Sequence, residues 1–379
     1  MKTKHLFFTL LSAVVLASGL SSCNDDDDKV QKYEPVAVGD LIIVNEGNYP
    51  NKINGSMDFL AYGKNGNIQH NVFKTLTGRE LGGTPNNAVA CGSLLFIACT
   101  DENVVEVFNL NTNNSTQIKV NAPRELATDK HSVYVSSYEG KVTKIDVASL
   151  TVVGTSDVIG NYLEGITVVN GFVYVCNAYN KTADPETGYD IYDYKTNVVK
   201  LNSSDLTKVK DITVAANPNI ILTDGNNVYV DSWGNYFDVQ PTVQRINASD
   251  NVTPLTSANW MAYNKNKLYL IEQAYDENWQ STFKYKTYDL TSNTESIFLN
   301  DIDKTIFYPG TIGVDPLSDE IFITSYIAGD YGYADYSANG YLMRYKNDGS
   351  FIQKYETGVG PCTLVFLAHY ELQEVQEES

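Results

Sequence analysis

Residues 122–156, "APRELATDKHSVYVSSYEGKVTKIDVASLTVVGTS", decide the fold. A proline near the start opens a few apolar residues. A tight turn then leads into "VYV", and "GKVTKIDV" and "LTVVGTS" add two more alternating segments. Alternation at a period of two is the mark of a half-buried strand, and the turn residues keep each strand short. The first two segments recur as "TPNNAVACGSLLFIACT", "YLEGITVVNGFVYVCNAY", "NPNIILTDGNNVYVDSW", "ANWMAYNKNKLYLIEQA" and "YPGTIGVDPLSDEIFITSY". Anchors fall at Pro85, Pro123, Leu163, Pro218, Ala258 and Pro309. The aromatic residue of the second strand lies eleven positions on in five copies, at Phe96, Tyr134, Tyr174, Tyr229 and Tyr269. In the sixth copy it is Phe322, thirteen positions on, which two extra residues in "DPLSDE" account for.

Four short strands in a unit of about 40–50 residues are the signature of a β-propeller blade. The C-terminal "GPCTLVFL" supplies an innermost strand alone, and the N-terminal "GDLIIVNEGN" and "GSMDFLAY" supply later ones. Together they complete a seventh blade, so the expectation is an all-β, seven-bladed propeller closed by both termini in one shared blade. It should run from about Ala37 to Tyr370, with 371–379 a polar tail. Such closure leaves no long free sheet edge.

In a four-stranded meander the link between second and third strands lies on the same face as the crossover to the next blade. Excess length concentrates there: "NAYNKTADPETGYDIYDYKTN", "SWGNYFDVQPT", "EQAYDENWQSTF" and "SYIAGDYGYADYSANGY". These read as long loops crowded with rings. Candidate ligand-binding residues on this face are Asn48, Tyr49, Tyr138, Asn177, Tyr179, Trp233, Tyr236, Tyr275, Trp279, Tyr326 and Tyr331, with Arg124 at the channel mouth. Tyrosine and tryptophan give stiff contact area with a polar handle, and asparagine both donates and accepts, a set suited to a bulky neutral ligand. The competing reading is that long loops need rings to pack on themselves.

The formal charge of −19 repels phosphate backbones and makes nucleic acid an unsuitable partner. The N-terminal "MKTKHLFFTLLSAVVLASGLSSC" has a basic start and an apolar run too short to span a bilayer, so residues 1–22 read as a secretory leader. Leu20-Ser21-Ser22-Cys23 resembles a bacterial lipobox, with cleavage before Cys23 and acylation of its sulfur; an ordinary signal peptide with a chance cysteine is the alternative. "NDDDD" at 24–28 opens a tether over 23–36 that is too polar to fold. Cys91, Cys99, Cys176 and Cys362 match no zinc or redox spacing and read as buried small hydrophobes, with a Cys99–Cys362 contact left open.

Catalysis has little support. His5 is in the leader, His369 is near the tail, and His70 and His131 fall toward the opposite side. HExxH, P-loop and nucleophile-elbow motifs are absent. Neither a metal site nor a cofactor is expected, and the protein reads as a non-enzyme.

"NEGNYPNKINGSMDFL", "GRELGGTPNNAVACGSLLFIACTDENVVEVFNL" and the "VYV" blades resemble the YncE-like seven-bladed propeller lipoproteins of gut Bacteroidetes over almost the whole mature chain, and within them the cobalamin-capturing branch. The resemblance implies an outer-membrane lipoprotein facing the cell exterior. It would capture cobalamin (vitamin B12) or related corrinoids and deliver them to a TonB-dependent outer-membrane transporter of the BtuB type. The alternative is a glycan-binding surface lipoprotein of a polysaccharide-utilisation system, and a lactonase-like or lyase-like propeller is the third class.

Overall fold

The computed structural model describes residues 31–374 apart from 65, 279 and 301–304. Seven antiparallel sheets follow one another around a ring, each a consecutive meander. The repeat beginning at Pro123 becomes the strands Pro123–Thr128, Ser132–Ser137, Val142–Asp146 and Thr151–Thr155, blade three. Blades two, four, five and six have the same four-strand plan. Blade seven adds a short pair, Ala334–Asp335 on Ile327–Ala328. The innermost strands touch their neighbours around the whole ring. The wide turn at "DPLSDE" is held by Asp315, whose Oδ1 accepts the Leu317 N–H at 2.8 Å, and this absorbs the two extra residues of that copy.

Blade one is closed as expected by Pro361–Glu374 inside Gln31–Asn45. It has three strands instead of four. Among the described residues after Ser56–Leu60, Gln69 alone pairs with this strand, opposite Phe59. Asp58 Oδ1 accepts the Asn71 N–H at 2.9 Å and turns the chain into the helix Val72–Thr77, which buries Val72 and Phe73 where an outer strand would lie. The two closing strands also pair beyond the expected domain limits, from Gln31 opposite Glu374.

The "VYV" segments show why the wheel holds. Period two sends Val133 and Val135 into the core shared with blade two, and Tyr134 into the core shared with blade four. Tyr134 donates to Asp129 Oδ2 at 2.9 Å and Tyr229 to Asp224 Oδ2 at 2.8 Å, so each ring is buried with its hydroxyl satisfied by the preceding turn. Cys91, Cys99 and Cys176 are buried and Cys362 is half-buried. All four are free thiols; Cys99 approaches the Leu81 carbonyl and Cys362 that of Pro85, so no bond joins the two. Cys23 lies outside the described residues. Among those described, no helix is long and apolar enough to cross a membrane.

Candidate functional site on the decorated face

The long connections of blades four to seven all leave from the outer ends of second strands, on one face of the wheel. Connections between first and second strands, on the opposite face, are short, from the tight turn between Cys91 and Leu94 to the wider one between Val314 and Ile321. Among the described residues, eight of nine exposed aromatic rings sit on the decorated face, Phe351 being the exception.

The blade-four excursion is a β-hairpin and not the loop its polarity suggests. Phe172–Ala183 and Asp190–Asn202 stay paired far beyond the wheel, with Tyr179 opposite Tyr194 and Lys181 opposite Tyr192. The ladder satisfies its own backbone groups, so polar side chains do not stop it. Pairing places Tyr179, Tyr192 and Tyr194 on one side, with Tyr162 opposite Tyr179 on the next strand. Six rings follow in sequence: Tyr138 to Tyr162 at 4.9 Å, Tyr162 to Tyr179 at 4.8 Å, Tyr179 to Tyr192 at 5.4 Å, Tyr192 to Tyr194 at 6.0 Å and Tyr194 to Tyr236 at 5.8 Å.

Five of these rings, all but Tyr162, wall an axial depression of about 340 Å³ over blades three, four and five, whose lining also includes Arg124, Glu164, Asn217, Asn219 and Trp233. The residues after four of the six repeat anchors, Asn86, Arg124, Glu164 and Asn219, form a column of equivalent places near the start of innermost strands, and the last three line the depression. Neighbours in this column meet. Arg124 Nε donates to Glu164 Oε2 at 2.6 Å, its Nη1 to Asn86 Oδ1, and the Tyr138 hydroxyl to Glu164 Oε1 at 2.9 Å. The Arg124 guanidinium also lies 5.2 Å from the Tyr138 ring centre. The one cation of the lining among the described residues is therefore already paired. Burial pushes the Glu125 carboxyl from 4.5 up to about 8, against the pull of Arg124 and with the help of Glu164. Burial raises Glu46 as well. Behind the lining, Trp233 Nε1 and Asn217 Oδ1 are buried from water and have no hydrogen-bond partner among the described residues, and neither do the two Oδ atoms of Asp231 in the strand below. With no partner charge, burial holds the Asp231 carboxyl far above its usual range.

Five of the residues singled out from the sequence, Arg124, Tyr138, Tyr179, Trp233 and Tyr236, come together here. Asn177 does not. It is 8 % exposed, its Oδ1 accepts the Asn161 N–H and its Nδ2 donates to Asn197 at 3.0 Å, so the fold uses its amide. Asn48 is likewise engaged, donating to the Tyr336 carbonyl at 3.0 Å and Ser337 Oγ at 3.1 Å, and so ties blade one to the blade-seven insertion. Tyr49 is exposed and packs over Gly83, where an added Cβ would come within 2.7 Å of its ring. Tyr275 belongs to a second depression of about 470 Å³ between blades six and seven. Tyr326 stands behind that depression, 6.4 Å from Tyr308 and 4.9 Å from Tyr336, edge to face with both. Trp279 and the side chain of Tyr331 lie outside the described residues. The single ring of aromatics expected from the sequence is thus two separate depressions. Glu164, Tyr192 and Tyr194 were missed. The anchor-plus-one column signals the first, and the Tyr-x-Tyr spacing of a strand signals the other two.

Comparison with known proteins agrees with the architecture. A quinonprotein alcohol dehydrogenase-like protein of Bacteroides thetaiotaomicron superposes with a TM-score of 0.58 at 14% identity, covering 86% of this chain and 77% of that one. Kuenenia stuttgartiensis hydrazine synthase superposes with a TM-score of 0.57 at 14% identity, covering 77% of this chain and 96% of the other. At such identities the likeness is one of fold alone. No curated protein matches the sequence. The model of the family described as "Domain of unknown function (DUF5074)" matches residues 39–366.

Proposed function

The chain belongs to the DUF5074 family, and we propose that it is a capture protein whose decorated face binds a bulky, neutral, amide-rich ligand, a corrinoid such as cobalamin, over the axial depression. The observation that carries this reading is the gathering of the enlarged connections of blades four and five and their rings around a depression whose one cation among the described residues is already neutralised by Glu164. A free arginine would favour phosphate or carboxylate; a paired one leaves the ring faces, the tyrosine hydroxyls and the Asn219 amide as the recognising groups. A corrinoid is a broad, partly apolar disc fringed with amides, and these groups complement both its face and its fringe.

In this reading the protein binds its ligand and does not transform it. The lipidated Cys23 holds it on the outer membrane, facing outward, and the ligand passes to a TonB-dependent transporter of the BtuB type. The test is to mix the mature protein with cyanocobalamin, desalt it and titrate the pair by calorimetry. Red colour should co-elute. The double variant Trp233→Ala, Tyr236→Ala should bind about 30-fold or more weakly, as expected for loss of ~2 kcal/mol or more of central aromatic contact. Absence of both colour and heat from the folded wild type overturns the reading.

A further inference from the structure

We propose that the depression between blades six and seven is a second binding site, separate from the axial one and built for a neutral pyranose ring. It stands without the corrinoid reading, because no lining residue is shared between the two depressions.

One wall is the hairpin formed by Lys267–Tyr275 and Ser281–Asp289, which stays paired out to Tyr275 opposite Ser281. Gln273 faces Phe283 across this ladder, so period two sets Gln273, Tyr275, Ser281 and Phe283 on the same side, toward blade seven. The other wall carries Tyr333 and Tyr336. That wall is a shaped piece of chain. The Gly329 N–H bonds the Tyr333 carbonyl at 2.8 Å, Asp335 Oδ1 accepts the Ser337 N–H at 2.8 Å, and Asn48 holds the Tyr336 carbonyl from blade one. The floor is an edge-to-face cluster, with Phe283 5.4 Å from Tyr308 and both rings 6.0 Å from Trp260.

Tyr275, Tyr333 and Tyr336 are 61, 73 and 51 % exposed. Three large rings held open to water around a fixed hollow of about 470 Å³ lie within the range of small-molecule sites, about 300–1,000 Å³. Among the described residues the lining has no lysine or arginine, which leaves phosphates and carboxylates without a counter-charge there. It does hold Gln280 and Asp276, the latter with its Oδ1 fixed by the Asn278 and Gln280 N–H groups at 2.8 and 2.9 Å, and Gln273, whose Nε2 already donates to Ser281 Oγ at 2.9 Å. A purely apolar ring would strip water from these groups without replacing their hydrogen bonds, at about 1–3 kcal/mol for each one left buried and unmade. A pyranose answers both features. Its C–H faces lie on tyrosine rings, and its hydroxyls reach the amides and the carboxylate at the edge.

The probes are maltotriose, cellotriose and α-mannotriose, observed by saturation-transfer NMR and titrated by calorimetry against the mature protein. At least one should bind. Tyr275→Ala and Tyr336→Ala should each weaken it at least tenfold, whereas Trp233→Ala should leave it unchanged. Cyanocobalamin binding should survive Tyr275→Ala, so a failure of the corrinoid reading and a failure of this site give different patterns. Absence of a saturation signal for all three saccharides on the folded wild type overturns the proposal. So does a binding saccharide whose affinity is indifferent to both tyrosine substitutions.

Discussion

Glu164→Gln tests whether the axial depression owes its neutrality to one buried pair. Glu164 is 5 % exposed and Arg124 25 %, and the carboxylate receives both Arg124 Nε and the Tyr138 hydroxyl. Breaking a buried pair by removing one charge costs about 3–5 kcal/mol. Glutamine keeps an acceptor oxygen, Asn86 still accepts from Arg124, and Arg124 retains some solvent, so the cost falls just below that range, at about 2–3 kcal/mol. For a domain of this size the entropy of unfolding gives roughly 1.4 °C per kcal/mol, hence a Tm about 3–4 °C lower. The deficit should depend on pH. Glu164 helps keep Glu125 protonated up to about 8, so its loss lets Glu125 ionise beside the freed guanidinium. Urea denaturation followed by fluorescence should therefore show the full deficit at pH 6 and a smaller one at pH 9. A loss below about 0.5 kcal/mol at pH 6 would mean the pair behaves as a surface ion pair. A deficit that grows at pH 9 would contradict the coupling to Glu125.

Glu125 itself should leave a pH signature. Below 4.5 folded and unfolded chains both hold its proton, and between 4.5 and about 8 the folded chain alone does, so stability falls as pH rises through that window and levels above it. Glu125→Gln should remove a slope worth on the order of a few kcal/mol across it, read from denaturation midpoints at pH 5, 7 and 9; an unchanged slope refutes the assignment. Gly234 has φ +72°, and a Cβ there would sit 2.0 Å from the Val239 carbonyl oxygen, so Gly234→Ala should displace the loop that presents Tyr236. Cyanocobalamin affinity should drop at least tenfold with the Tm changed by only a few degrees, and equal affinity would show that the loop makes no contact with the ligand.

The wheel was legible because each blade repeats a local rule. Alternating residues fix which way a side chain points, and the eleven-residue spacing from anchor to aromatic fixes the register of first and second strands. The face that bears the long connections follows from strand count alone. The blade-four excursion departs from the expected loop because polarity does not stop a ladder that pairs its own backbone groups, and Tyr192-x-Tyr194 opposite Tyr179 is a strand face. Blade one lost its fourth strand for a reason local patterns do not carry: Asp58 captures the Asn71 N–H and starts a helix there.

The sequence by itself determined the number of blades, the shared closing blade, the burial of cysteines 91, 99 and 176, and the crowding of rings on one face. Only the tertiary structure decided that those rings divide into two depressions, that Asn48 and Asn177 are consumed by the fold, and that Arg124 is neutralised. Arg124 and Glu164 are 40 positions apart, and Asn48 and Tyr336 are 288 apart. Period two says which side of a strand a residue occupies. Which side chain of the next blade meets it is set by the closure of the ring, and with that contact come the charge and the hydrogen bonds left for a ligand.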